Sequence, residues 1–181
     1  TGTTNAQMAV RLQNNSASMT DIIIRNLIME GAAANVTGAI FQITGVTGNT
    51  VKNVTVENNM IRSIGTTSPE VRGYGITVAV ASNTENTGLV IRNNEIVNFY
   101  ARGINITANY PGMEIYGNEI YHTADVTQPT TTEFSGIYYS TSGAPGTKIY
   151  NNYVHSIRLT NGTTAVNGIY IFNGNSTGEP V

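Results

Sequence analysis

The chain has 181 residues, of which 40% are hydrophobic and only 11% charged, with a formal net charge of −2 and no cysteine. That length is enough for one domain with its own core. The charge offers no grip on nucleic acid or an anionic membrane. Disulfides and thiolate metal sites are excluded, and no apolar run is long enough to span a bilayer.

The chain opens on Thr1-Gly2-Thr3-Thr4-Asn5, polar and uncharged, which is not a signal peptide. It ends on Gly178-Glu179-Pro180-Val181, with no closing element. Both ends read as cuts through a longer protein. The expectation is one continuous segment, 1–181, of a larger polypeptide.

Between the ends the chain repeats itself. Ile22-Ile23-Ile24-Arg25-Asn26-Leu27-Ile28-Met29 returns as Val54-Thr55-Val56-Glu57-Asn58-Asn59-Met60-Ile61 and as Val90-Ile91-Arg92-Asn93-Asn94-Glu95-Ile96. Glu114-Ile115-Tyr116-Gly117-Asn118-Glu119-Ile120 and Lys148-Ile149-Tyr150-Asn151-Asn152-Tyr153-Val154 are further copies. The bend positions Asn26, Asn58, Asn93, Gly117 and Asn151 lie 32, 35, 24 and 34 residues apart. A second motif interleaves, led by Gly in most copies: Gly38-Ala39-Ile40-Phe41-Gln42-Ile43, Gly75-Ile76-Thr77-Val78, Gly103-Ile104-Asn105-Ile106, Gly136-Ile137-Tyr138-Tyr139 and Gly168-Ile169-Tyr170-Ile171. Ala9-Val10-Arg11-Leu12 is a remnant of one more. Alternation is period two throughout, with β-branched enrichment and Gly, Asn, Ser and Pro in the connections.

This pattern resembles the right-handed parallel β-helix family, the pectate-lyase-like solenoids, over nearly the whole chain. The resemblance implies an all-β solenoid of about five coils with an Asn ladder at the bend. Asn tolerates the left-handed conformation that a sharp bend needs. The ladder is expected from Asn26, Asn58, Asn93 and Asn151, interrupted at Gly117. Coils stacked about 4.8 Å apart make a rod of roughly 24 Å. The inward columns read as Phe41, Ile76, Ile104, Ile137, Ile169; Ile43, Val78, Ile106, Tyr139, Ile171; Ile24, Val56, Ile91, Ile115, Ile149; and Met29, Ile61, Ile96, Ile120, Val154.

Function has to be sought on the outward columns, because this fold carries lyases, hydrolases, tailspikes and inert stalks alike. Arg25, Glu57, Arg92, Tyr116 and Tyr150 form one column, read as a surface ladder of ion pairs and rings. Glu95 and Glu119 are neighbours in the next and offer a weak candidate Ca²⁺ site, with no third acid in line. Gln42, Thr77, Asn105, Tyr138 and Tyr170 form the face that in pectinolytic relatives floors the catalytic cleft. That column has no acid and no base, and the chain has only Asp21 and Asp125 as aspartates. Glycoside hydrolysis needs paired carboxylates, so no catalytic residue is assigned.

Charge collects in the loops before the Gly-led strands, with Glu70 and Arg72 in one and His122, Asp125 and Glu133 in another. A groove over Arg102 and Asn105 follows, with Arg72, Arg102, Asn105, Asp125, Glu133, Tyr138 and Tyr170 as glycan-contact candidates. His122 and His155 read as surface histidines. The expected function is a non-catalytic segment of a secreted or cell-surface protein: a stalk, an adhesin or a glycan-contacting surface. A polysaccharide lyase or glycoside hydrolase fragment, or a tailspike-like piece, are the alternatives. The partners expected are a polysaccharide or cell-surface glycan and the rest of the larger chain, with no nucleic acid, no membrane span and no cofactor beyond possible Ca²⁺.

Overall fold

The computed structural model of the chain describes residues 8–31, 38–67, 71–80, 86–128, 133–141, 144–160 and 165–173. Among these there are strands, turns and bends but no helix. The strands come in triplets. The first coil holds β1 (Val10–Asn14), β2 (Met19–Arg25) and β3 (Ile28–Gly31), and the second β4 (Ala39–Gly45), β5 (Val51–Glu57) and β6 (Met60–Ser63). The third holds β7 (Arg72–Val80), β8 (Val90–Arg92) and β9 (Glu95–Val97). The fourth holds β10 (Phe99–Ile106), β11 (Glu114–Tyr116) and β12 (Glu119–Tyr121), followed by a short β13 (Val126–Thr127). The fifth holds β14 (Phe134–Thr141), β15 (Lys148–Tyr150) and β16 (Tyr153–Val154), then β17 (Leu159–Thr160), and β18 (Val166–Asn173) opens a sixth.

Like strands stack into three long sheets: a six-stranded first sheet β1-β4-β7-β10-β14-β18, a five-stranded second sheet β2-β5-β8-β11-β15 and a five-stranded third sheet β3-β6-β9-β12-β16. Pairing within each sheet is parallel, so the chain is a parallel β-solenoid. Strand β13 pairs with β17 beside these sheets.

The four inward columns lie in register as the alternation implies. Phe41 pairs with Ile76, Ile76 with Ile104, Ile104 with Ile137 and Ile137 with Ile169. Ile24, Val56, Ile91, Ile115 and Ile149 run through the second sheet, and Met29, Ile61, Ile96, Ile120 and Val154 through the third. Together they bury one continuous core that no single coil could build. Glycine is required on the first sheet because the third sheet packs against it there. A Cβ on Gly103 would sit 2.6 Å from the Gly136 carbonyl and 2.8 Å from Ile120, and Gly75 and Gly136 are as tightly placed.

The bend between the second and third sheets corrects one expectation. Asn26, Asn58, Asn93 and Asn151 do take the left-handed conformation, with φ between 52° and 58°, and Gly117 takes it at 66°. Their side chains, however, are exposed. The ladder is built one residue later, by Asn59, Asn94, Asn118 and Asn152. The Nδ2 of Asn59 donates to Asn94 Oδ1 (3.0 Å), Asn94 to Asn118 (2.9 Å) and Asn118 to Asn152 (2.9 Å). Each Nδ2 also donates back to a carbonyl of the preceding coil, and each Oδ1 also accepts a backbone N–H from it. The physical reason is that the left-handed residue turns the chain and points its own Cβ outward. The next residue is the one that faces the corner interior. Gly117 therefore interrupts nothing. Leu27, at the ladder position of the first coil, contributes only its N–H, to Asn59 Oδ1.

Candidate functional site

The outer face of the first sheet carries most of the expected contact residues. The register shifts between Phe99 and Arg102, a bulge that re-aims the side chains around it. Phe99 is buried in the core, whereas the Arg102 guanidinium lies outside, 3.4 Å from the Tyr138 ring centroid and 5.9 Å from that of Tyr74. Its Nη1 donates to Asn105 Oδ1 at 2.8 Å. Tyr138 in turn stacks on Tyr170, with centroids 5.2 Å apart and planes 2° from parallel. Tyr138 and Tyr170 share one register column with Asn105, and Arg102, in register with Tyr74 and Ser135, reaches along the sheet to lie over the Tyr138 ring. The shared ring faces are turned toward one another. Along this strip, Tyr74, Arg102, Tyr138 and Tyr170 are each partly exposed, whereas Asn105 is buried.

Three other contact candidates do not join the strip. Arg72 is fully buried, in register with Phe99, and its Nε lies 3.1 Å from where a Cβ on Gly31 would stand. Burial lowers the pKa of its guanidinium from the ordinary value. Arg72 is therefore corrected from a groove residue to an interior one: β7 begins three residues before Gly75, and its first side chain faces inward. Asp125 is exposed and makes no hydrogen bond or ion pair with the strip among the described residues. Glu133 accepts a hydrogen bond from Asn167 Nδ2. Glu70 lies outside the described residues.

His122 is a second correction. It is only 3% exposed, with its ring edge-on to Phe99 and Phe134 at centroid distances of 5.4 and 5.5 Å. Its Nδ1 lies 3.1 Å from the Arg158 backbone N and 2.9 Å from the Arg158 carbonyl oxygen, tying the fourth coil to the fifth. Burial lowers its pKa.

On the other faces, acids meet partners on a neighbouring coil. Glu57 receives Arg92 at 2.6 Å, and Arg92 also donates to the Tyr116 hydroxyl at 2.8 Å, beside the Tyr116–Tyr150 stack at 4.8 Å. Lys148 meets Glu114 at 3.1 Å, and Arg62 meets Glu30 at 2.5 Å. Glu95 and Glu119 are register neighbours, yet each turns to a different ring. Glu95 accepts the Tyr121 hydroxyl, and Glu119 lies 3.0 Å from His155 Nε2. That hydrogen bond to Glu95 is the main reason the Tyr121 phenol is pushed up to about 12. Among the described residues no group of three or more acids, histidines or cysteines is placed to hold a metal ion. His155 continues the ring column, 5.1 Å from Tyr121 and 4.2 Å from Tyr153.

No family model matches the chain, and neither does any curated protein or solved structure.

Proposed function

We propose that the chain is a non-catalytic segment of a larger secreted or cell-surface protein of the pectate-lyase-like kind, serving as a stalk or adhesin with a glycan-contacting strip. The observation that supports this is where the acids go. Glu30, Glu57, Glu95, Glu114 and Glu119 each bind a base or hydroxyl on another coil. These contacts join coil to coil along the rod and give each of these five carboxylates a partner of its own. A hydrolase would need paired carboxylates. Asn105, Tyr138 and Tyr170 follow one another on successive coils about 4.8 Å apart, with Arg102 beside Asn105 on the same strand. Together they offer hydrogen bonds to a polysaccharide laid along the rod.

The test uses pectate, alginate and a neutral glucan. Binding is read by retardation in affinity gels, and turnover by absorbance of unsaturated products and release of reducing ends. The expected result is weak retardation without turnover, reduced several-fold in Arg102→Ala. Turnover that disappears in Arg102→Ala would overturn the proposal.

A further inference from the structure

Cysteine is absent, so no disulfide can join one coil to the next. The coils are held by sheet pairing, side-chain hydrogen bonds and ion pairs. Tyrosine is the other side chain that oxidation joins to its own kind, and the chain has ten. Two pairs of tyrosine rings stack among the described residues: Tyr116 on Tyr150, and Tyr138 on Tyr170. Of the others, Tyr100, Tyr110 and Tyr139 are buried, and Tyr121 and Tyr153 lie against His155.

Tyr116 and Tyr150 are register partners on the neighbouring parallel strands β11 and β15. Their ring centroids lie 4.8 Å apart, with planes 11° from parallel. The same position on two stacked strands sets equivalent ring carbons opposite one another, at about the strand spacing of ~4.8 Å. Arg92 fixes one ring, donating from Nη1 to the Tyr116 hydroxyl at 2.8 Å. The other ring has no strand beyond it, because β15 ends the second sheet. Tyr150 is 40% exposed and Tyr116 partly so, which puts both within reach of a dissolved oxidant. In the other stacked pair the Arg102 guanidinium covers the Tyr138 ring, 3.4 Å from its centroid.

We propose that Tyr116 and Tyr150 are a site of oxidative coupling, joined as a dityrosine by hydrogen peroxide acting through a haem peroxidase. Each phenol gives one electron and its hydroxyl proton to the oxidant. The two tyrosyl radicals then form a carbon–carbon bond between ring positions ortho to the oxygens. Each joined carbon loses its hydrogen as a proton, and each oxygen takes one up. The protein has lost two hydrogen atoms, and one peroxide has become two waters. The bond fixes the fourth coil to the fifth and closes a loop in the unfolded chain, as a disulfide would. The site lies on a different sheet from the strip and does not rest on the reading of that strip.

The test uses the chain carrying Tyr138→Phe, which removes the other stacked pair. It is treated in dilute solution with haem peroxidase and hydrogen peroxide, and far-UV circular dichroism checks that each variant is folded. The expected product is a monomer lighter by the mass of two hydrogen atoms, with dityrosine fluorescence and a cross-linked fragment that joins Tyr116 to Tyr150 in mass spectrometry. Adding Tyr150→Phe keeps a ring in the stack and should cut that product at least tenfold. Adding Tyr153→Phe removes the more exposed ring, at 61%, and should leave the yield unchanged. In urea strong enough to unfold the chain the yield should fall at least tenfold, because the stack is gone. The proposal is overturned by a folded chain that forms no link between these two residues, by a yield that is the same in urea, or by dityrosine formed chiefly between chains or at Tyr153.

Discussion

Replacing Asn94 or its neighbour Asn93 by alanine separates two roles that adjacent asparagines play. The Asn94 side chain makes four hydrogen bonds: Oδ1 accepts the Asn59 N–H and Nδ2–H, and Nδ2 donates to the Val56 carbonyl and Asn118 Oδ1. In Asn94→Ala, Asn59 Nδ2 keeps its bond to Ile24 O, and Asn118 Oδ1 keeps the Asn94 backbone N–H. The Asn59 backbone N–H is left facing a vacancy at a position only 2% exposed. An orphaned buried donor costs about 1–3 kcal/mol, and each further net bond lost about 0.5–1.5 kcal/mol. Asn94→Ala should therefore cost about 3 kcal/mol. Asn93→Ala changes an exposed side chain and leaves the ladder whole. Its cost is the left-handed backbone, with φ at 53°, worth about 1 kcal/mol for alanine. Asn93→Gly should be near neutral, since Gly117 holds the same place one coil on. Urea melts followed by far-UV circular dichroism give the ranking, and hydrogen exchange at the Asn59 amide reports the local site. A loss in Asn93→Ala as large as in Asn94→Ala would refute the assignment of the ladder.

The glycines of the first sheet give a second contrast: Gly103→Ala meets backbone at 2.6 Å, whereas nothing lies within 4 Å of a Cβ on Gly168. The first should cost at least about 2 kcal/mol and the second stay within about 0.5 kcal/mol by the same urea melts. The Tyr110 hydroxyl donates to the Val51 carbonyl at 2.7 Å inside the core, so Tyr110→Phe should lose about 1 kcal/mol. For pH, His122 has a folded pKa below its unfolded value of 6.5, so its contribution is intact above that pH and is lost as pH falls from there toward the folded pKa. The slope from this one group is at most about 1.4 kcal/mol per pH unit. Imidazole NMR should show His122 less than half protonated at pH 6.5, and a His122 that is half-protonated at or above that pH would contradict its burial.

The period of the repeat was easier to read than its phase, and the reason is physical. Alternation at period two ties every residue of a strand to one of two faces, and like residues recur at each coil, so the four inward columns follow from the letters alone. The bend is different. At Asn58-Asn59, Asn93-Asn94 and Asn151-Asn152 the two positions carry the same residue type, and nothing local says which turns the chain and which stacks. The discriminating signal sits in the two imperfect copies. Gly117-Asn118 keeps a residue fit for positive φ at the first position and an amide only at the second. Asn26-Leu27 keeps the turn and gives up the amide. Both copies place the ladder at the second position. Arg72 and His122 escaped for another reason: polar side chains at strand ends default to solvent, and nothing in the local sequence marks these two as buried.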